Sequence, residues 1–225
     1  MQLTCEYLHA SPTRHQFLTP NSQAPDPAQF QKDVAGHIGL YVPMMYVGYM
    51  DTTMRWIRYQ CDDSKGRGIK KAGSALPSHR QMVTDGLASC VSVTVIGRDA
   101  ALKAHIPPYL CRTIKGDTSD KGKVQQLKNM QTAITTLLKN NRKKFEKSTT
   151  IVVAGPESRE RDVRTILDKL FGTDSSFVQY KLEMKMDPHK NDRSTVIDLT
   201  ASPPKFYIEG HEVPYQRAPS RRRHH

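Results

Sequence analysis

Apolar residues alternate most cleanly after Cys90, where Val91, Val93 and Val95 fall on one side of an extended chain and predict a strand. A turn at Gly97-Arg98-Asp99 brings a second apolar stretch, Ala104 to Ile106, back beside the first as a hairpin. Upstream, His37 to Tyr59 is apolar and aromatic. Tyr41 to Tyr49 supplies one or two strands there, with Pro43 and Gly48 marking an edge, bulge or turn. Residues 61 to 80 read as a polar, glycine-punctuated loop.

Beyond the hairpin, Val124, Leu127, Met130, Ile134, Leu137 and Leu138 recur at helical spacing. Thr150 to Ala154 reads as a short buried strand running into Gly155-Pro156-Glu157, where proline suits a first helical position. Val163, Ile166, Leu167, Leu170 and Phe171 form the next helical stripe, which Gly172 stops. Strands are expected at Phe177 to Met186, Ser194 to Leu199 and Lys205 to Ile208, with Pro203-Pro204 separating the last two. The Pro/Gln/Ser/Thr-rich residues 1–34 read as a flexible lead, 35–210 as the folded domain and 211–225 as a basic flexible tail. This order predicts a layered α/β sandwich with a mixed sheet and two main helices. No Gly-x-Gly-x-x-Gly joins a strand to a helix and no phosphate-cradling Gly-x4-Gly-Lys-Ser/Thr occurs, so a nucleotide-binding α/β fold is excluded.

Composition changes the picture in three respects. Of 225 residues only 37% are hydrophobic, and no apolar run is long enough to span a bilayer. The first twenty residues lack a charged start followed by an apolar block, which predicts no ordinary secretory signal. The four cysteines (Cys5, Cys61, Cys90, Cys111) are widely spaced without a Cys-x-x-Cys, and the nine histidines show no zinc spacing. They are therefore expected as thiols in a reducing, cytoplasmic compartment, with no metal or organic cofactor. The net charge of +12 is concentrated in residues 112–147, where ten Lys or Arg face three acids, and in Arg221-Arg222-Arg223. That excess reads either as a solvated helix face or as a surface for an acidic protein partner. Aromatic interleaving for base stacking is absent, which disfavours nucleic acid.

The candidate chemistry lies in and around the hairpin. A thiol at its ordinary pKa is mostly protonated at neutral pH and needs a base. His105 is that base for Cys90, and Thr84 orients the imidazole through its hydroxyl or backbone carbonyl. Gly86 permits a tight loop, and backbone N–H groups around Leu87 to Cys90, Ser89 included, point at a developing oxyanion. On side-chain chemistry alone an alternative stands beside this: Cys90 as a buried core thiol and His105 as a satisfied polar residue. Cys61 and Cys111 are expected to be incidental.

The run Thr84-x-Gly86-Leu87-Ala88-Ser89-Cys90-Val91, followed by Ala104-His105-Ile106-Pro107, resembles the core motif of the CheD-type chemoreceptor glutamine deamidases, Thr-x-Gly-Leu-Gly-Ser-Cys-Val and Ala-His-x-x-Leu-Pro. Those proteins are distantly related in fold to the cytotoxic necrotizing factor-type toxin catalytic domains. The likeness runs over about residues 80–209, and Glu160-Arg161-Asp162-Val163 resembles the family's Gly-Glu-Arg-Asn-Val segment. It implies a CheD-like fold, Cys90 as nucleophile, His105 as base and Thr84 as support. The implied activity is hydrolysis of a protein glutamine side chain to glutamate, in the service of a chemoreceptor or as a toxin or effector. An amine in place of water would make the same chemistry a transglutaminase, and a methylated glutamate would make it an esterase. Two departures stand out: Ala88 replaces a glycine and Asp162 an asparagine, so a backbone angle requiring glycine would be strained at Ala88. The competing class is a non-catalytic binding protein that docks on an acidic partner through its basic helix.

Overall fold

The computed structural model describes residues 5–7, 39–71, 79–145, 149–155, 163–171, 179–183, 194–208 and 211–215. Their strands are β1 (Cys5–Tyr7), β2 (Leu40–Tyr41), β3 (Tyr46–Asp51), β4 (Trp56–Gln60), β5 (Lys70–Lys71), β6 (Gln81–Thr84), β7 (Val91–Ile96), β8 (Ala100–Ile106), β9 (Thr150–Ala154), β10 (Gln179–Glu183), β11 (Thr195–Asp198), β12 (Lys205–Ile208) and β13 (His211–Val213). The helices are α1 (Pro108–Ile114), α2 (Lys121–Asn140), α3 (Arg142–Phe145) and α4 (Val163–Phe171). Two sheets form: one of eight strands in the order β1-β10-β9-β7-β8-β3-β4-β5, and one of five in the order β13-β12-β11-β6-β2.

The chain is thus a mixed α/β layered fold with two sheets where the sequence predicts one. Val91, Val93 and Val95 of β7 and Leu102, Ala104 and Ile106 of β8 turn to the helices, where they meet Leu110, Met130, Ile134, Leu137, Ile166 and Leu170. Successive strand residues face opposite sides, so Met50, Ile96, Ala101, Val152 and Ala154 point the other way. There they pack on Met82, Ile197, Phe206, Ile208 and Val213 of the smaller sheet. Every residue of β7 and β8 is therefore buried, including polar Ser92, Thr94, Lys103 and His105.

The predicted hairpin forms, with Val91 opposite Ile106 and Ser92 opposite His105. Helix α2 starts at Asp120, whose carboxylate accepts from the Lys123 N–H at 3.1 Å, an N-cap of the usual kind. It buries the predicted Leu127, Met130, Ile134 and Leu137. None of the helices among the described residues is long and apolar enough to cross a membrane.

Two short strands lie outside the expected 35–210 domain. Residues 5–7, placed in a flexible lead, pair in parallel with β10 at the edge of the large sheet. Residues 211–213, placed in the tail, pair with β12, because Val213 is 2% exposed and completes the inter-sheet core beside Phe206. Pro108 opens α1 at N1, where proline sacrifices no intrahelical hydrogen bond. Glu157 and Asp162 lie outside the described residues.

Candidate active site

Three segments converge where the two sheets meet. Thr84 ends β6 in the small sheet and is opposite Thr195 in register. His105 is the sixth residue of β8 in the large sheet, and Cys90 immediately precedes β7. All three are buried: Thr84 fully, His105 3% and Cys90 5% exposed.

The hydroxyl of Thr84 lies 2.6 Å from the Val42 carbonyl and 2.8 Å from Nδ1 of His105. A carbonyl only accepts, so the single hydroxyl proton goes to Val42 and the threonine oxygen must accept from Nδ1–H. This fixes the imidazole as the Nδ1–H tautomer and leaves Nε2 as a bare base. That Nε2 is buried with no hydrogen-bond partner among the described residues. Burial is the main force lowering the imidazole pKa, to about 4, aided by the nearby Lys103 charge and opposed by the Val42 carbonyl. The ring is thus neutral at pH 7.

Cys90 shares the face of His105. Since Ser92 is opposite His105, and residues two apart in a strand share a face, Cys90 and His105 are diagonal neighbours across the hairpin. Cys90 packs in the inter-sheet cluster, as that parity requires. Its S–H points to the Met44 thioether, with Sγ 4.0 Å from Sδ, and not to Nε2. The structure therefore brings thiol and imidazole to one face of the hairpin without a hydrogen bond to Nε2.

The loop between β6 and β7 explains the remaining predicted positions. Gly86 has φ of +67°, a left-handed angle that favours glycine. Leu87 drives its side chain fully into the inter-sheet core, which pins the loop, while Gly86, Ala88 and Ser89 stay exposed. The positive φ angles at non-glycine residues among the described residues fall on Met45 and Met54, so Ala88 is free of the strain expected from its missing glycine. Cys61 and Cys111 are thiols buried on the helix side, away from this face. Burial and then Asp62 push the Cys61 thiol up to about 12, which leaves it inert as a nucleophile.

Neither a protein-family model nor a curated protein matches the chain.

Sequence reasoning missed four residues of the site. Val42 accepts the Thr84 proton, and Met44 receives the thiol. Met45 donates its N–H to the His105 carbonyl at 3.0 Å and ties the preceding turn to the base. Gly155 ends β9 against the nucleophile, where an added Cβ would come within 3.0 Å of the Cys90 carbonyl oxygen. Its place directly after the buried Thr150–Ala154 run was the one local signal. The other three reach the site only through the fold. A polar seam continues beside it: Lys103, fully buried, donates to Thr195 at 2.6 Å and Thr94 at 3.1 Å, and Ser92 and Thr195 are 3.2 Å apart.

Proposed function

We propose that the chain is a protein-glutamine deamidase of CheD-like type. The reading is carried by one observation: a threonine hydroxyl whose proton is committed to Val42 forces His105 to present a bare Nε2 on the face it shares with Cys90. A merely satisfied core histidine has no need of an empty buried nitrogen, which burial makes costly.

In the proposed reaction Nε2 of His105 takes the Cys90 proton as sulfur bonds to the carboxamide carbon of a glutamine, giving a tetrahedral oxyanion. Collapse breaks the C–N bond, His105 returns the proton to the leaving nitrogen, and ammonia departs from a Cys90 thioester. Water then adds to the thioester carbonyl while Nε2 accepts its proton. The C–S bond breaks, sulfur regains that proton, and glutamate is released. Each cycle consumes one water, releases one ammonia and restores the enzyme. The loop from Gly86 to Cys90 supplies backbone N–H donors for the oxyanion; such donors are each worth about 3 kcal/mol of barrier. A primary amine in place of water gives transamidation on the same thioester. A nucleophile that must stay reduced fits a reducing compartment.

The test is incubation of the full chain with a glutamine-bearing protein, with ammonia assayed and target mass measured. Ammonia release with an NH2-to-OH mass change, abolished in Cys90→Ser and His105→Ala, is expected. Equal release from the Cys90→Ser protein would falsify the reading.

A further inference from the structure

Met44 is 49% exposed, the large hydrophobic residue left open among the described residues, and its sulfur is 4.0 Å from that of Cys90. It occupies the second position of a tight turn closed by the Tyr46 N–H donating to the Pro43 carbonyl at 3.1 Å. The third position, Met45, adopts φ of +68°, a left-handed angle unusual for a side chain of that size. Surrounding contacts hold it there. Met45 donates to His105 as above, its carbonyl accepts from the Cys61 N–H at 2.9 Å, and its side chain is buried in the helix-side core. The turn is thus anchored to the backbone of the proposed base, and Met44 is set at a fixed place over the thiol.

Two facts about this corner belong together. The Cys90 S–H is spent on a thioether, a weak acceptor, while Nε2 of His105, a far stronger one, is buried and vacant. We infer that Met44 is a specificity-determining residue which diverts the thiol from its base until a substrate side chain displaces it. The proposal rests on the deamidase reading. The occupant that takes its place is the two-methylene stem of a glutamine, an apolar, unbranched segment of a length to lie over Cys90 with its carboxamide at the sulfur. Rotation of Cys90 about χ1 then hands the S–H to Nε2, one staggered position for another. Asparagine, a methylene shorter, has too short a stem to take the place of Met44 with its carboxamide at the sulfur.

The experiment compares wild type, Met44→Leu and Met44→Ala as full-length proteins. Alkylation of Cys90 by iodoacetamide at neutral pH is followed by peptide mapping, and deamidation of a glutamine peptide gives kcat and KM. Met44→Leu keeps the apolar cover but removes the sulfur acceptor, so Cys90 is expected to alkylate several-fold faster with KM little changed. That acceleration should vanish in Met44→Leu/His105→Ala. Met44→Ala should also alkylate faster and raise KM for glutamine about tenfold, the usual loss for apolar contact of this size. Alkylation at the wild-type rate in both variants overturns the proposal, as does an acceleration that survives loss of His105. An unchanged KM in Met44→Ala overturns the substrate contact. Faster, His105-dependent alkylation in proteins that deamidate nothing sinks the deamidase reading but leaves the diversion of the thiol standing.

Discussion

The Thr84 hydroxyl sits 2.8 Å from Nδ1 of His105, though the two residues belong to different sheets and lie 21 positions apart. The imidazole is therefore oriented by its neighbouring layer and not by its own strand. Thr84→Val keeps the shape but removes the acceptor, and is expected to lower kcat/KM for glutamine by about ten- to a hundredfold, a fraction of what general acid–base catalysis supplies. Thr84→Ser should retain most of the rate. Steady-state kinetics on both variants checks this, and equal rates in Thr84→Val and wild type would refute the orienting role.

Stability should rise with pH between about 4 and the ordinary histidine value. In that window the unfolded chain binds a proton at His105 that the folded chain refuses. Above it the contribution is fully present, and it is lost as pH falls toward 4. The whole span is worth about 3 kcal/mol. Urea unfolding of wild type and His105→Gln at several pH values reads it, with the variant showing a shallower slope over this range.

Lys103 is buried completely, has no carboxylate within ion-pair distance among the described residues, and lies 5.2 Å from the centre of the Phe206 ring. Burial alone holds its amine well below the usual lysine value. Replacement by methionine should therefore stabilise the protein at pH 7, by about 1.4 kcal/mol for each pKa unit by which burial lowers the amine. The advantage should shrink as pH rises, because the unfolded wild-type lysine then loses its proton as well. Chemical denaturation at pH 7 and pH 10 tests both parts; a Lys103→Met protein less stable than wild type at pH 7 would contradict them.

On the outer side of the small sheet the Tyr41 phenol donates to Oδ1 of buried Asp85 at 2.5 Å, while Oδ2 has no hydrogen-bond partner among the described residues. Burial raises this carboxyl and the tyrosine bond pulls it down. Tyr41→Phe removes the bond and should cost about 1–3 kcal/mol. Asp85→Asn in the same background should recover part of it, which a double-mutant cycle by urea unfolding measures.

Local pattern made the hairpin and the stripes of α2 and α4 legible, because Val91, Val93 and Val95 and then Leu127, Met130, Ile134 and Leu137 repeat at the periods of strand and helix. The second sheet was not legible. Its strands are two to four residues long, and the pairing of Thr84 with Thr195 joins segments that no local period connects. Ser92, Thr94 and Lys103 consequently look like a solvent side in sequence, whereas another layer covers them. Of the candidate site, Thr84, Cys90 and His105 were readable from their motif. Met44 was not, since its contact with Cys90 spans 46 positions and depends on a turn tied to β8.

Because thiol and imidazole ride on one hairpin while the hydroxyl arrives on a strand from the other layer, a half-assembled chain carries both reactive groups but not the tautomer that makes them a pair. On the proposed reading, reactivity would require the two layers to be mated, and a slight parting of them would silence the site even with its helices intact.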